Sequence, residues 1–441
     1  MKLEQLKTKK IAIVGMGVNN RHLAEYLKSR GIAYSVFQDW KSPEELTGKI
    51  DAFDVVFRTP GLPFLSKLIQ RAMNKGVEIS SQTKLFFDLC PAKIIGVTGT
   101  KGKGTTATLI SEILTAHGKK NWLAGNIGQD PFVFLDQITA QDFVVLELSS
   151  FQLQDLDKNP HLAVVLNITS EHLDHHKTFD EYLAAKKRIV SNQSPTDFAI
   201  LNYDYPIIRD FVSSTPASVA WNSVMSPVKP GCFVKNGAIY INFDRGEEYL
   251  MPVSEIGLLG DFNLENVTAA VAAAGCAAEL DLVKTRECVK RFRGLPHRLE
   301  FVAECRGVKY YDDTFSTTPE TAIAAISAFD KPLILIVGGS EKNSDYSKLA
   351  QVISESKIKA LIPIGITGPK IANLSRKSGF EGRIADKVFA NMDEIMDEAH
   401  KLAAPGDIIL LSPASASFDM FENYKQRGDF FQAAVKKFAN G

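Results

Sequence analysis

Residues 96–110 read GVTGTKGKGTTATLI, and the fold turns on what this stretch is. Ile94 and Ile95 end an apolar run just before it, and a helical pattern follows it, so it forms a strand–turn–helix corner. Gly96, Gly99, Gly102 and Gly104 allow backbone N–H groups to face inward around an anion. The helix that follows points its positive end at the same place, and Lys103 adds a full charge. A standard phosphate loop reads Gly, four residues, Gly-Lys, then Ser or Thr. Here Val97 stands at the first glycine and Gly104 at the hydroxyl position, with Thr105 one residue later able to supply the missing oxygen. The competing reading is a flexible turn of no chemical consequence; Lys101 and Lys103 among the glycines favour phosphate.

The same grammar of β-branched run, glycine turn and helix recurs on both sides. It opens with KKIAIVGMGVNNRHLAEYLKSRG, continues in FVVLELSS, AVVLNIT and FAILN, and returns in PLILIVGG, ALIPIGI and DIILLSPAS. Strands alternating with helices predict parallel, doubly wound α/β sheets. From about 217 to 259 the runs shorten and carry an Asn-Gly turn, which predicts a small antiparallel β insert. With 441 residues the chain is too long for one ordinary domain. Joints near 89–92 and 293–298 divide it into three: 1–90, 91–295 and 296–441.

Composition excludes several classes. Basic and acidic residues balance at 51 each, so no nucleic-acid or membrane partner is expected. The start MKLEQLKTKKIAIVG lacks a secretory h-region, and no apolar run approaches the roughly 20 residues of a membrane span. The five cysteines are scattered without CxxC spacing, which predicts free thiols. A cytoplasmic location is expected.

The spacing G-x-x-G-T-x-G-K resembles the loop of the Mur ligase superfamily, ATP-dependent amide-forming enzymes. Lys-Gly-Thr at 103–105 is closer to that superfamily's folylpolyglutamate branch. AGNIG (124–128), LELSSFQL (146–153), LNITSEHLDHH (166–176), AAKKRI (184–189), GLPHRLE (294–300) and LSPASASFDMFENYKQRGDFF (411–431) are instead similar to the branch that adds glutamate to UDP-N-acetylmuramoyl-L-alanine in peptidoglycan precursor synthesis. This likeness runs through the whole chain in order. It implies a Rossmann-like UDP-binding domain, a central P-loop domain and a C-terminal Rossmann-like domain, working as a monomer on ATP, glutamate and the UDP-linked acid.

The resemblance also implies site residues. For ATP these are Gly99, Thr100, Lys101, Gly102, Lys103, Gly104, Thr105, Thr106, Asn263, Asn266, His297, Arg298 and Asp313. Glu147, at the end of FVVLE, stands where a strand-end acid can hold Mg²⁺; the competing reading is an ordinary strand-end glutamate on the surface. His172 is implied as ligand of a second Mg²⁺, though a polar cluster after a strand could be a solvated loop. Lys186 matches a lysine carbamylated by CO₂, which would make it an anionic metal ligand; on sequence alone it is an ordinary surface lysine. Thr105 completes the metal set.

The UDP-linked substrate is expected at Val18, Asn19, Gln38 or Asp39, Thr59, Gly61, Asn126, Ser149 and Gln152. IAIVGMGVNN has Asn20 where a dinucleotide fingerprint has its third glycine, so NAD is not predicted. Glutamate is expected at Thr317, Lys342, Ser417 and Tyr424. One departure stands out: Phe315 replaces a lysine near the phosphates, so either Lys101 compensates or nucleotide handling differs. D-Glu is the family default, while L-Glu-adding relatives, folylpolyglutamate-type activity and a non-catalytic paralogue are the alternatives.

Overall fold

The computed structural model describes residues 1–441 apart from 41, 170–177, 259, 261, 342, 343 and 441. The described chain divides into two units, one of residues 1–256 with 262–291, the other of 257–261 with 292–441.

The first unit holds two sheets. One has β1 (Ile11–Val14), β2 (Ser35–Phe37), β3 (Val55–Arg58) and β4 (Glu78–Ser81), in the order 2-1-3-4 and all parallel. Along β1, Ile11 and Ile13 enter one apolar cluster while Ala12 and Val14 enter another. Successive strand side chains point to opposite faces, so a strand covered on both sides reads as a continuous apolar run.

The other sheet has β5 (Lys93–Thr98), β6 (Asn121–Gly125), β7 (Phe143–Glu147), β8 (Leu162–Val165), β9 (Phe198–Asn202), β10 (Ser218–Ser223), β11 (Gly231–Lys235), β12 (Ala238–Phe243) and β13 (Gly246–Pro252). Its order is 13-12-11-10-9-8-5-7-6. The segment expected as an antiparallel insert continues this sheet at its edge. There β10 and β11 still pair in parallel, and only β11–β12 and β12–β13 are antiparallel. After β5 the chain moves out to β6 and β7 on one side, then to β8 and β9 on the other, which puts the topological switch point at β5 and β8.

The second unit holds β14 (Glu300–Cys305), β15 (Val308–Asp312), β16 (Leu333–Gly338), β17 (Ile358–Ile364), β18 (Arg383–Ile384) and β19 (Ile408–Leu411), in the order 14-15-19-16-17-18. Only β14 runs antiparallel to its neighbour. Ile334 and Ile336 of β16 pack into one core, Leu333, Leu335 and Val337 into the other. The five cysteines are free thiols. No helix among the described residues is long and apolar enough to cross a membrane.

Candidate functional site

The loop after β5 sits at the central switch point. Helix Lys103–Ala116 begins inside the glycine-rich stretch, with Gly102 as N-cap at φ +83°. A side chain at Gly102 is excluded twice over: by the left-handed backbone, and because its Cβ would lie 2.0 Å from Asn266 Oδ1. The loop is pinned across the switch point, where Thr100 N donates to Asn167 O at 2.7 Å and Lys101 N to Asn167 Oδ1 at 3.1 Å.

Two lysines converge on this loop. Lys103 Nζ donates to Gly99 O at 3.2 Å and Thr100 O at 2.9 Å. Lys186, on helix Phe179–Ser191, donates to Gly99 O at 2.7 Å and Thr98 Oγ1 at 3.4 Å. Lys186 is only 2% exposed, so the surface lysine suggested by sequence alone is buried against the loop. Its ammonium stands 4.7 Å from the centre of the Tyr182 ring, and the Tyr182 hydroxyl lies 3.0 Å from Thr100 Oγ1. Burying a cation is costly without partners, and here carbonyl and hydroxyl oxygens and an aromatic face supply them.

Glu147 ends β7 in register with Val97 on β5 and Gly125 on β6, which places it at the same sheet edge as the loop. A Cβ on Gly125 would come within 2.3 Å of the Glu147 carbonyl oxygen. Thr105 and Thr106 are buried in the first turn of the loop helix. Thr106 Oγ1 donates to Asn266 Oδ1 at 3.3 Å, and Asn266 Nδ2 to Asn263 Oδ1 at 2.8 Å, so the residues of NLEN one turn apart on helix Phe262–Ala277 meet the loop together. The hydroxyls of the loop helix and the carboxylate that ends β7 are hard oxygen donors of the type Mg²⁺ takes, and the glycine cradle suits a phosphate. His172 lies outside the described residues.

The expected UDP-substrate residues fall into two groups. Asn126 Nδ2, Ser149 N and Ser149 Oγ all donate to Gln152 Oε1, at 3.2, 2.9 and 2.9 Å. Ser149 and Gln152 thereby form a capping box at helix Ser150–Leu153. In the first sheet, the turn after β1 meets Thr59 at the β1/β3 switch point; a Cβ on Gly15, at φ +80°, would lie 2.7 Å from Thr59 Cγ2. Helix Val18–Ser29 starts at this turn, with Asn19 and the buried Asn20 in its first residues. Asn20 explains the missing third glycine, since its amide donates to Gly15 O at 2.7 Å and closes the turn. Gln38 and Asp39 both line a cavity of about 520 Å³ with Met16, Phe37 and Trp40. The Trp40 Nε1 is buried and has no hydrogen-bond partner among the described residues. Gly61 follows Arg58, whose 1%-exposed guanidinium pairs with Asp155 at 2.9 Å and donates to Leu62 O and Phe151 O.

In the second unit, Asp313 follows β15. Its carboxylate accepts from Ser412 Oγ at 2.7 Å and from Leu299 N at 3.2 Å. Burial pushes this carboxyl up to about 7, opposed by its hydrogen bonds to Ser316, Ser412 and Leu299 N and by the charge of Arg298. His297 Nδ1 meets Asp312 Oδ2 at 2.7 Å, and that bond raises the imidazole pKa against the opposing effect of burial. Glu300 lies with His297 and Asp312 in one His–carboxylate cluster, bridged by the Gln432 amide, which donates to both acids. Thr317 is half-buried, with its N–H on Phe315 O. Ser417 is buried, and Tyr424 accepts a bond from Thr314 Oγ1 through its carbonyl. Lys342 lies outside the described residues.

Several organising residues escaped the sequence reading. Arg427 is fully buried and donates to Thr314 Oγ1, Thr314 O, Ser415 O and Ala416 O, tying the loop after β15 to the loop after β19. Burial pulls its pKa down to about 10. Glu265 accepts from Asn202 at 3.0 Å and Tyr205 at 3.1 Å, and burial raises its carboxyl. The available signals were weak: Asn167, a polar residue closing the apolar run AVVLN; Trp40, an aromatic after FQD; and an arginine in QRGDFF.

Comparison with known proteins identifies the family. A family profile described as Mur ligase middle domain matches residues 97–274, and one described as Mur ligase, glutamate ligase domain matches 297–415. The chain is 37% identical to a UDP-N-acetylmuramoylalanine–D-glutamate ligase of Acetivibrio thermocellus, over 98% of this chain and 97% of that protein. It is 39% identical to the enzyme of that name from Symbiobacterium thermophilum, over 96% and 97%. The crystal structure of the MurF ligase of Thermotoga maritima in complex with ADP shares the fold at a TM-score of 0.59, with 15% identity over 99% of this chain and 97% of that one. With relatives this similar along nearly its whole length, and the phosphate loop in its expected setting, the chain belongs to the Mur ligase family, in its UDP-N-acetylmuramoylalanine–D-glutamate ligase branch.

Proposed function

We propose that this chain is an ATP-dependent, ADP-forming ligase that joins D-glutamate to UDP-N-acetylmuramoyl-L-alanine in peptidoglycan precursor synthesis. The observation that carries the reading is the meeting of Lys103 and Lys186 on the Gly99 carbonyl of the phosphate loop. It is supported by near-full-length likeness to ligases of that name.

In this reading residues 1–90 hold the UDP moiety, 91–295 hold ATP, and 296–441 hold glutamate and part of the nucleotide. Val18, Asn19, Gln38, Asp39, Thr59 and Gly61 contact UDP. Asn126, Ser149 and Gln152 meet the rest of that substrate. Gly99 to Thr106 with Asn263 and Asn266 surround the triphosphate, and His297, Arg298 and Asp313 meet the nucleotide from the last domain. Thr317, Lys342, Ser417 and Tyr424 hold glutamate. The enzyme acts as a cytoplasmic monomer.

The alanyl carboxylate attacks the γ-phosphorus of ATP, the bond to the β-phosphate oxygen breaks, and ADP leaves. The amine of glutamate then attacks the acyl-phosphate carbon, loses a proton, and inorganic phosphate departs, leaving an amide. Lys103 neutralises charge on the transferring phosphoryl group. Thr105, Glu147, His172 and Lys186 are the residues to hold two Mg²⁺ ions, which when bound spread the phosphate charge. For Lys186 we propose carbamylation: the ammonium loses a proton, the neutral Nζ attacks the carbon of CO₂ while one C=O pair moves to oxygen, and Nζ loses a second proton, so that a buried cation beside Lys103 becomes an anionic oxygen donor. Sequestration from water protects the acyl phosphate from hydrolysis.

ADP release by the purified chain tests the reading. UDP-N-acetylmuramoyl-L-alanine with D-glutamate should support turnover, with L-glutamate far less. Turnover with a folate acceptor, or none with any acceptor, would overturn it.

A further inference from the structure

Phe315 poses a question that the ligase reading leaves open. It stands in the loop after β15, two residues past Asp313, and is 40% exposed. The Arg298 guanidinium lies over this ring at 4.2 Å from its centre. The Tyr424 ring meets Phe315 edge-on, with centres 5.2 Å apart.

The backbone holds Arg298 just as firmly. His297 and Leu299, on either side of it, both adopt left-handed conformations, φ +64° and +46°. Neither is glycine, so each is strained, and such strain persists only where surrounding contacts enforce it. Those contacts are present: Phe315 N donates to His297 O at 3.0 Å, Leu299 N to Asp313 Oδ1 at 3.2 Å, and His297 N to Glu300 Oε2 at 2.7 Å. One arginine is therefore fixed at its root by a strained bracket and at its tip by an aromatic face, beside a buried acid at the C-terminal edge of a parallel sheet, where ligands of such sheets bind.

We propose that Phe315 is a positioning residue for ATP: its ring holds the Arg298 guanidinium so that the planar donor edge meets the nucleotide's phosphates. A guanidinium covered on its face keeps its N–H donors in the plane, the geometry that pairs with two phosphate oxygens. The aromatic ring, standing where a second cation is missing, thus serves by fixing the Arg298 guanidinium. This rests on the ligase reading of the chain.

Titration of the full chain with a non-hydrolysable ATP analogue and Mg²⁺, alongside steady-state kinetics, tests it. F315A should weaken analogue binding and raise the ATP KM by about 3- to 10-fold, the range an Arg–aromatic contact at such a site carries. The KM for UDP-N-acetylmuramoyl-L-alanine should not change. F315W should restore binding, F315L should not, and thermal melts establish that each variant is folded. In a double-mutant cycle, F315A should have little further effect once R298A is present. Wild-type affinity in F315A, or full additivity with R298A, would overturn the stack. Failure of the unaltered chain to take up the analogue at all would overturn the ligase reading itself.

Discussion

The loop after β5 and the loop after β15 occupy equivalent places, each at the C-terminal end of a parallel strand, and they handle charge in opposite ways. At the first, two ammonium groups are drawn onto backbone carbonyls of a glycine-rich turn. At the second, a carboxyl is enclosed by serine hydroxyls and one N–H, and burial carries it up to about 7. The first loop is shaped by its glycines and its own lysine before Asn167 and Lys186 pin it from a distance; the second is shaped by side chains from elsewhere, with Arg427 holding it to the loop after β19. A backbone cradle leaves its mark in local sequence as glycines and a lysine. A cradle built from distant side chains leaves almost none.

Four substitutions test this contrast, beginning with the largest effect. Lys103→Ala should cut ADP release by about 10³-fold or more, since it removes a preorganised charge from the phosphoryl site, while leaving the thermal melt nearly unchanged. Substantial residual turnover would mean that the first loop is not the phosphate site. Arg427→Met should act in reverse, costing about 3 kcal/mol in urea unfolding because four oxygens of two loops lose their donor in the interior. Unchanged stability would show that the second loop holds itself.

Lys186→Ala should lower turnover by about 10²-fold and abolish any dependence on added bicarbonate. A ¹³CO₂-derived carbamate signal should appear in the wild type alone; a variant with full activity would refute the metal-ligand role.

Asp313→Asn is read through pH. The folded chain keeps this carboxyl protonated up to about pH 7, whereas the ordinary value is 3.8. Between about pH 4 and 7 the folded state therefore binds more proton than the unfolded state, so this group's contribution to stability declines as pH rises and levels off above 7. The asparagine variant lacks that loss. Its melting temperature should exceed the wild type's by about 4 °C or more at pH 8, with the gap closing by pH 4.5. A gap that does not change with pH would place the burial penalty elsewhere.

Much of the architecture was legible beforehand. Alternating apolar runs and glycine turns predicted three parallel sheets, because strands buried on both faces must be apolar throughout. The antiparallel segment was legible as a change of rhythm, but its place as the edge of the central sheet depends on pairing between β10 and β11, which no local pattern encodes. Asn126, Ser149 and Gln152 were named together and do meet, because two of them share one capping box. Lys186 was distinguished only by resemblance; on sequence alone it is an ordinary surface lysine, and only the packed structure shows it buried.

The sequence by itself determined the sheet class, the glycine-rich turn and the helix after it, and the family, because these depend on spacing along a short stretch or on likeness over the whole chain. The tertiary structure alone decided that Lys186 meets Lys103 on one carbonyl, that Arg58 is buried against Asp155, and that Arg298 lies on Phe315. The physical reason is that burial and pairing of charge are set by which distant segments meet, and a side chain in the sequence carries no record of its partner.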